Sequence, residues 1–310
     1  WLNALLGVAA GPHHLARVDG GKIALSAPDD VALGQNTLLD VTGGGRLRVD
    51  GRGKVIAGNG GEISLIGNAV SGLEGNVRGY GIGGGGTLTV SSNRIQIGGT
   101  PDNAPGTANL NAALFDRAGF ADIHLAGLES LTLSTGVRIR PAVLSLELQP
   151  DYLVRPSGSR VEDFSRQVKL DDLVRPPVNL SLTAVDANDR GGDISIGAGA
   201  GIEADPGAKI TLTVGNLLDI QGSISAPGGS ITATLDHGQG FEFFPTNALW
   251  LGKQAVLDVS GVALTYLDSQ RLTQGTVLNG GNITLNAKFG YVVAEAGSTI
   301  RLEGAAPVDR

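Results

Sequence analysis

Short runs of alternating apolar and polar residues recur along the chain, and each opens on a pair of glycines. They read Gly20-Gly21-Lys22-Ile23-Ala24-Leu25, Gly60-Gly61-Glu62-Ile63-Ser64-Leu65 and Gly191-Gly192-Asp193-Ile194-Ser195-Ile196. The pattern returns at Gly228-Gly229-Ser230-Ile231 and Gly280-Gly281-Asn282-Ile283. A period of two in residues rich in Ile, Val, Leu and Thr marks a half-buried strand, because successive side chains of a strand point to opposite faces. A second phrase closes several of these units: Leu39-Asp40-Val41, Leu218-Asp219-Ile220 and Leu257-Asp258-Val259, each followed two residues later by glycine. The stretch Gly20 to Gly43 also aligns with Gly280 to Gly304, with one residue of difference in length.

Such self-similarity signals a stacked-repeat architecture. Successive glycine pairs lie 40 residues apart (Gly21 to Gly61) and 37 apart (Gly192 to Gly229). At about five residues per strand, each interval has room for five or six strands, or two coils of about 20 residues with three strands apiece. The predicted fold is therefore all-β: a right-handed parallel β-helix, the hand following from the strong preference of parallel crossovers. Glycine pairs are expected to supply positive φ at the corners. About 220 residues in such coils, spaced about 4.8 Å apart, predict a spine on the order of 50 Å long. Leucine-rich, hexapeptide and propeller frames are absent, and the calcium-binding nonapeptide does not occur, since Gly191-Gly192-Asp193 lacks its middle glycine.

Four stretches interrupt the rhythm. Coils over 1–140 carry an insertion near 100–121, where Leu110 to Phe115 predicts a short helix. Residues 141–189 form an extra-helical insertion with a local duplication, Asp151-Tyr152-Leu153-Val154-Arg155-Pro156 against Asp172-Leu173-Val174-Arg175-Pro176. Between the copies, Val161 to Leu170 is the strongest helix candidate. Coils resume over 190–310, with loops near 236–250 and 266–278. Insertions in solenoids emerge outside the core and often serve binding. The second insertion interleaves Arg155, Arg166 and Arg175 with acidic residues, which fits either a solvated cap or a recognition surface. Phe241, Phe243, Phe244 and Trp250 gather four aromatics within ten residues, as a satellite core under a loop or as an exposed stacking platform.

Composition sharpens this picture. Glycine supplies 49 of 310 residues, which suits a chain with several corners per coil, while only 2 Trp, 4 Tyr and 7 Phe suit a narrow aliphatic core. With no cysteine there are no disulfides or thiolate metal sites, a composition compatible with passage through a periplasm. A net charge of −7 argues against a nucleic-acid partner. No apolar run reaches the length of a membrane span, and Leu2 to Ala10 is short and lacks the basic leader of a signal peptide. The absence of methionine, even at position 1, predicts that the chain is a piece of a longer one. Chemistry is sparse. Asp29-Asp30 and Asp171-Asp172 are neighbours whose side chains diverge on extended backbone. Asp236-His237 is the nearest approach to a catalytic pair, His13-His14 the nearest to a metal site, and His124 should point outward between Ile123 and Leu125. Gly81, Gly83 and Gly86 have the dinucleotide-loop spacing, but a strand rather than a helix follows. No catalytic residue, metal or cofactor is assigned.

The double-glycine opener, the Leu-Asp-Val closer and Asn286-Ala287-Lys288-Phe289-Gly290-Tyr291-Val292-Val293-Ala294-Glu295-Ala296-Gly297-Ser298 resemble the filamentous-haemagglutinin-type exoproteins of Gram-negative bacteria. The resemblance covers most of residues 20–99 and 191–304. It implies a very large protein exported by two-partner secretion, through an outer-membrane β-barrel transporter recognised by a region outside this segment. It also implies a fibre on the outer cell surface that serves adhesion, biofilm formation or toxin delivery. Asn-Pro motifs of the family's secretion domain are missing, as is an Arg-Gly-Asp triplet, so the segment reads as interior shaft. Three functions are therefore weighed: a structural shaft; a segment whose insertions bind a host or neighbouring-cell glycan or protein; and, on the analogy of pectin-degrading β-helices, a polysaccharide-degrading enzyme.

Overall fold

The computed structural model describes residues 18–47, 55–73, 77–151, 160–185, 191–236, 244–267 and 269–305. The fold is all-β, 50% strand and 2% helix, and its main sheets are built of parallel strands. The described residues trace eight similar rounds. The first comprises β1 (Lys22–Ser26), β2 (Val31–Ala32) and β3 (Leu39–Asp40), followed by an antiparallel hairpin, β4 (Gly45–Leu47) and β5 (Val55–Ala57). The second has β6 (Glu62–Ile66), β7 (Val70–Ser71) and β8 (Val77–Arg78). In the third, β9 (Gly86–Ile97) is one long strand, and then come β10 (Thr107–Leu110) and a four-residue helix, α1 (Leu114–Arg117). The fourth has β11 (Phe120–Leu133) and β12 (Arg138–Ile139), and then a hairpin of β13 (Ser145–Leu148) and β14 (Ser165–Val168).

The remaining rounds each place three strands in turn: β15 (Asn179–Ala184), β16 (Asp193–Ile196) and β17 (Gly201–Glu203), then β18 (Lys209–Val214), β19 (Leu217–Ile220) and β20 (Ser223–Ser225). They are followed by β21 (Ser230–Leu235), β22 (Ala248–Leu251) and β23 (Val256–Asp258). A hairpin of β24 (Val262–Leu267) and β25 (Thr273–Leu278) precedes β26 (Asn282–Ala287), β27 (Tyr291–Ala294) and β28 (Thr299–Arg301). First strands pair in the order β1-β6-β9-β11-β15-β18-β21-β26, second strands as β11-β16-β19-β22-β27, and third strands as β12-β17-β20-β23-β28. The first two lines fuse into a 13-stranded sheet because β9 and β11 run through both, β11 bending at an irregularity between Gly127 and Ser130.

Register explains the core. Along the first line Ile23, Ile63, Leu88, Ile123, Leu180, Ile210, Ile231 and Ile283 are consecutive partners, and Leu25, Leu65, Val90, Leu125, Leu182, Leu212, Ala233 and Leu285 form a second ladder. The other lines contribute Ile194-Leu218-Leu249-Val292 and Ile139-Ile202-Ile224-Leu257-Ile300. From Ile63 to Ile231 these ladders are sealed from solvent, and each Ile, Leu or Val in them contributes about 1.5–3 kcal/mol by burial. His124 lies outward on β11 between buried Ile123 and Leu125, as its alternation predicts.

The 40-residue spacing is one round rather than two coils, because β1 pairs directly with β6 and the surplus residues form the β4–β5 hairpin. Eight stacked strands at about 4.8 Å extend on the order of 35 Å, less than the 50 Å expected. The recurring phrases also fall on different lines: Gly191-Gly192 opens a second strand, β16, while Gly228-Gly229 opens a first strand, β21. Leu218-Asp219 closes a second strand and Leu257-Asp258 a third. The long insertion ends sooner than 189, since β15 lies in the main sheet. The helix expected over Val161–Leu170 is a 3-10 turn at Val161–Asp163 that leads into β14, because the segment pairs with β13. Residues 266–278 are hairpin rather than loop, and Leu110 is strand, with the short helix displaced to Leu114–Arg117.

The glycine pairs act mainly through proximity. Positive φ occurs at Gly191 and Gly228 but not at Gly20, Gly21, Gly60, Gly61, Gly280 or Gly281. A methyl group on Gly61 would fall 1.9 Å from the Gly21 carbonyl oxygen, and one on Gly281 1.9 Å from that of Gly229. Rounds touch backbone to backbone there. Gly61→Ala should therefore cost about 1–3 kcal/mol in urea denaturation, as overpacked sites do. Gly21→Ala, whose methyl meets nothing within 4 Å, should stay within about 0.5 kcal/mol.

A second expectation concerns pH. Burial of Glu203 raises its carboxyl's pKa, but hydrogen bonds from Arg138 (2.6 Å) and Arg140 (2.7 Å) outweigh burial and hold it below its ordinary value. The contribution of the ionised group is complete above the unfolded-state pKa of about 4.3 and is lost as pH falls through the lower folded value. The stability gap between the parent and Glu203→Gln, measured by denaturation at pH 7, 5, 4 and 3, should close toward the acid end.

Candidate functional site

The third side of the first rounds carries a concavity with two compartments. Its floor is β3, β8 and the residues that follow them; one wall is the β13–β14 hairpin with its 3-10 turn, and the other is α1. An outer compartment of about 920 Å3 is lined by Asp40, Thr42, Arg160, Glu162 and Ser165, with Ile23, Leu38 and Leu146 as its apolar patches. An inner compartment of about 530 Å3 has a floor of Leu73, Val77 and Leu114 and polar groups from Asn111 and Arg117. Arg78, Tyr80 and Gln167 line both, so the two adjoin. These volumes fall in the range of small-molecule sites, which pair apolar walls with a few polar groups.

Local structure fixes the floor. Arg78 stands opposite Asp40 in the β3–β8 register, their charged atoms 3.8 Å apart. Two residues on, Tyr80 is buried, and its hydroxyl donates to the Arg117 carbonyl, tying β8 to α1. Burial pushes the Tyr80 phenol above its ordinary pKa; the Arg78 charge and a Gln167 hydrogen bond offset this in part, and the Asp40 charge adds to it. Two glycines make room for the rings here: Gly119 (φ +80°) lies against Tyr80, and Gly79 against Phe120. Backbone bonds from Gly79 to Ala118 (2.8 Å) and from Ala142 to Phe115 (3.1 Å) clamp the α1 segment between β8 and the hairpin strand.

Of the candidates singled out from sequence, Arg166, Arg175, Phe244 and Trp250 are described, and none of them lines this concavity. Arg155, Phe241 and Phe243 fall outside the described residues, as do His13, His14 and His237. Arg166 sits on β14 with its guanidinium 2.6 Å from Glu147 of β13, an exposed cross-strand pair. Arg175 is nearly buried: Nε and Nη2 grip Asp205 at 2.6 and 2.5 Å and Nη1 donates to the Leu170 carbonyl at 2.6 Å, fastening the insertion to the β17–β18 corner. With its donors committed to protein groups, Arg175 is an anchor. Phe244 and Trp250 are partly exposed at 37% and 36%, and Trp250 lies outward on β22 with Nε1 donating to Glu295 at 2.8 Å. The closing-phrase aspartates serve corners: Asp40 and Asp258 each accept from the backbone N–H two residues on. Asp30 accepts instead from the N–H of Ala69 in the next round. Asp171 accepts from Leu173, a bond that holds its carboxyl below the ordinary range.

Arg78, Tyr80, Arg117 and Gln167 were not distinguished in the sequence. They converge only through pairing across 38 residues and an insertion folding back over β8. Among the described residues no group of three or more His, Asp or Glu could hold a metal ion, and no helix is long and apolar enough to cross a membrane. No protein-family model, curated protein or solved structure matches the chain.

Arg175→Ala would leave Asp205 buried without its partner, and removing one member of such a pair typically costs about 3–5 kcal/mol. We expect a loss of that size in urea denaturation, together with new proteolytic cleavage between residues 141 and 178. Arg166→Ala, at an exposed pair, should shift stability by less than about 1 kcal/mol.

Proposed function

We propose that the eight rounds form a right-handed parallel β-helix serving as the shaft of a large secreted exoprotein of filamentous-haemagglutinin type. In this reading the protein crosses the outer membrane through its two-partner β-barrel transporter and stands on the cell surface. The shaft then spaces an adhesive or toxic tip from the cell and contributes to adhesion. The observation that carries the reading is the in-register parallel stack from β1 to β26 with continuous aliphatic ladders. Such stacks contact mainly their neighbours and gain length by adding rounds. The last described round agrees: Val292 and Ile300 continue ladders whose preceding members, Leu249 and Leu257, are fully buried, yet are 49% and 45% exposed themselves.

A second reading, direct ligand binding through the insertions, is favoured by the cleft that the β13–β14 hairpin closes over β3 and β8. It is compatible with the first, since a shaft can carry sites along its side.

Small-angle scattering of the 310-residue chain and of a tandem fusion tests the shaft. The fusion should roughly double the maximum dimension at constant cross-section; a compact particle would reject the rod. Placed behind a two-partner secretion leader, the chain should pass through the cognate barrel, and retention in the periplasm would count against the export lineage.

A further inference from the structure

Among the basic groups of the described residues that have a carboxylate within ion-pairing distance, two arginines of the cleft hold theirs most loosely. Arg94, Arg138, Arg140, Arg160, Arg166, Arg175 and Lys22 each hold a carboxylate at 2.5 to 2.9 Å. Arg78 is 3.8 Å from Asp40, and Arg117 is 4.0 Å from Asp116, at the outer limit of ion pairing. Neither guanidinium makes a closer polar contact with a described residue. These are also the two arginines that line the inner compartment, which has no acidic residue among the described residues of its lining. A guanidinium offers five donors in a planar fork suited to a carboxylate, and here most of that capacity is unspent.

The rest of the lining narrows the ligand. Asn111, whose Oδ1 holds the Ala113 N–H, and Gln167, which bonds Tyr80, keep further donor and acceptor capacity that suits hydroxyl groups, while Leu73, Val77 and Leu114 form an apolar bed suited to the C–H face of a sugar ring. Next to it the outer compartment is balanced in charge, with Arg160 beside Glu162 and Asp40 near Thr42 and Ser165. Such a wall takes neutral, hydroxylated groups without a net electrostatic demand. Tyr80 closes the back, its hydroxyl already committed to Arg117.

We propose that this cleft binds an acidic oligosaccharide, with the carboxylate of one sugar held between Arg78 and Arg117 in the inner compartment and the adjoining sugars lying along the outer one. The inference rests on the second reading above, that the insertion makes a binding site, and is independent of the shaft. Scattering can fail while the cleft binds, and binding can fail while the rod stands.

Calorimetry on the 310-residue chain tests it with tri-galacturonate, neutral tri-galactose, monomeric galacturonate and inorganic phosphate. Tri-galacturonate should bind at least tenfold more tightly than tri-galactose and than the monomer, and its affinity should fall as salt rises. Arg78→Ala and Arg117→Ala should each weaken it tenfold or more, while Arg301→Ala, an exposed arginine on β28, should change it less than twofold. If Arg78→Ala fails to fold, Arg117→Ala carries the test, because its side chain is 79% exposed and circular dichroism can verify the fold. Equal affinity for the neutral trimer, phosphate binding as tight as the uronate, indifference to both arginines, or no binding of tri-galacturonate at millimolar concentration would each overturn the proposal.

Discussion

Parallel strands stacked in register, backbone against backbone, impose the condition that the rest of this molecule obeys. Each strand gives its hydrogen-bonding edges to the rounds above and below, so a position in one round meets its counterpart in the next. Alternation then sorts side chains strictly, because a slip of one residue would turn every ladder outward. The ladders of Ile and Leu from Ile63 to Ile231 are the result. The same condition accounts for the glycines. Where Gly61 passes Gly21 and Gly281 passes Gly229, a side chain would collide with the neighbouring round's carbonyl.

Corners must satisfy backbone groups that the strands leave over, and short polar side chains do this repeatedly. Asp40 and Asp258 fold back onto N–H groups two residues on, a habit of aspartate at turns. At another corner Asn93 donates to Asn68 and Asn68 to Asp30, one link per round over three rounds. Aspartates that might suggest catalysis in an isolated sequence are thus occupied with shape. The strongest ion pairs have a comparable role where the chain leaves the stack, as Arg175 and Asp205 show by pinning the long insertion at its exit.

Much of this was readable in the sequence because period-two alternation and glycine placement are local properties. The strand openers at Lys22, Glu62, Ser230 and Asn282 and the outward His124 follow from them directly. The number of rounds did not follow, since the interval from Gly21 to Gly61 hides a hairpin whose residues look like further coil. Val161 to Leu170 failed as a helix for a related reason: its charges suit a helix surface, but a distant strand, Ser145 to Leu148, offers a ladder and tertiary pairing decides. The cleft was the least legible feature. Arg78, Arg117 and Gln167 lie tens of residues apart and are unremarkable where they stand.

Where the cleft forms is a consequence of one irregular round. After β9 the chain does not proceed to a third-line strand; it doubles back as β10, which pairs with β9 and packs beside β7. Residues 111–118, including α1, then take the third side in place of a strand, bonded to Gly79 below and Ala142 above. A helix turn cannot continue a flat ladder, so the third face breaks between β8 and β12. The hairpin β13–β14 leaves the stack just above the break and folds down over β8, and the space between them is the cleft. Regular rounds on either side hold both walls in fixed register, so a discontinuity in a repetitive core becomes a defined concavity. Repetition alone would leave the third face flat; its interruption here is what brings Arg78 and Arg117 to the lining of one compartment.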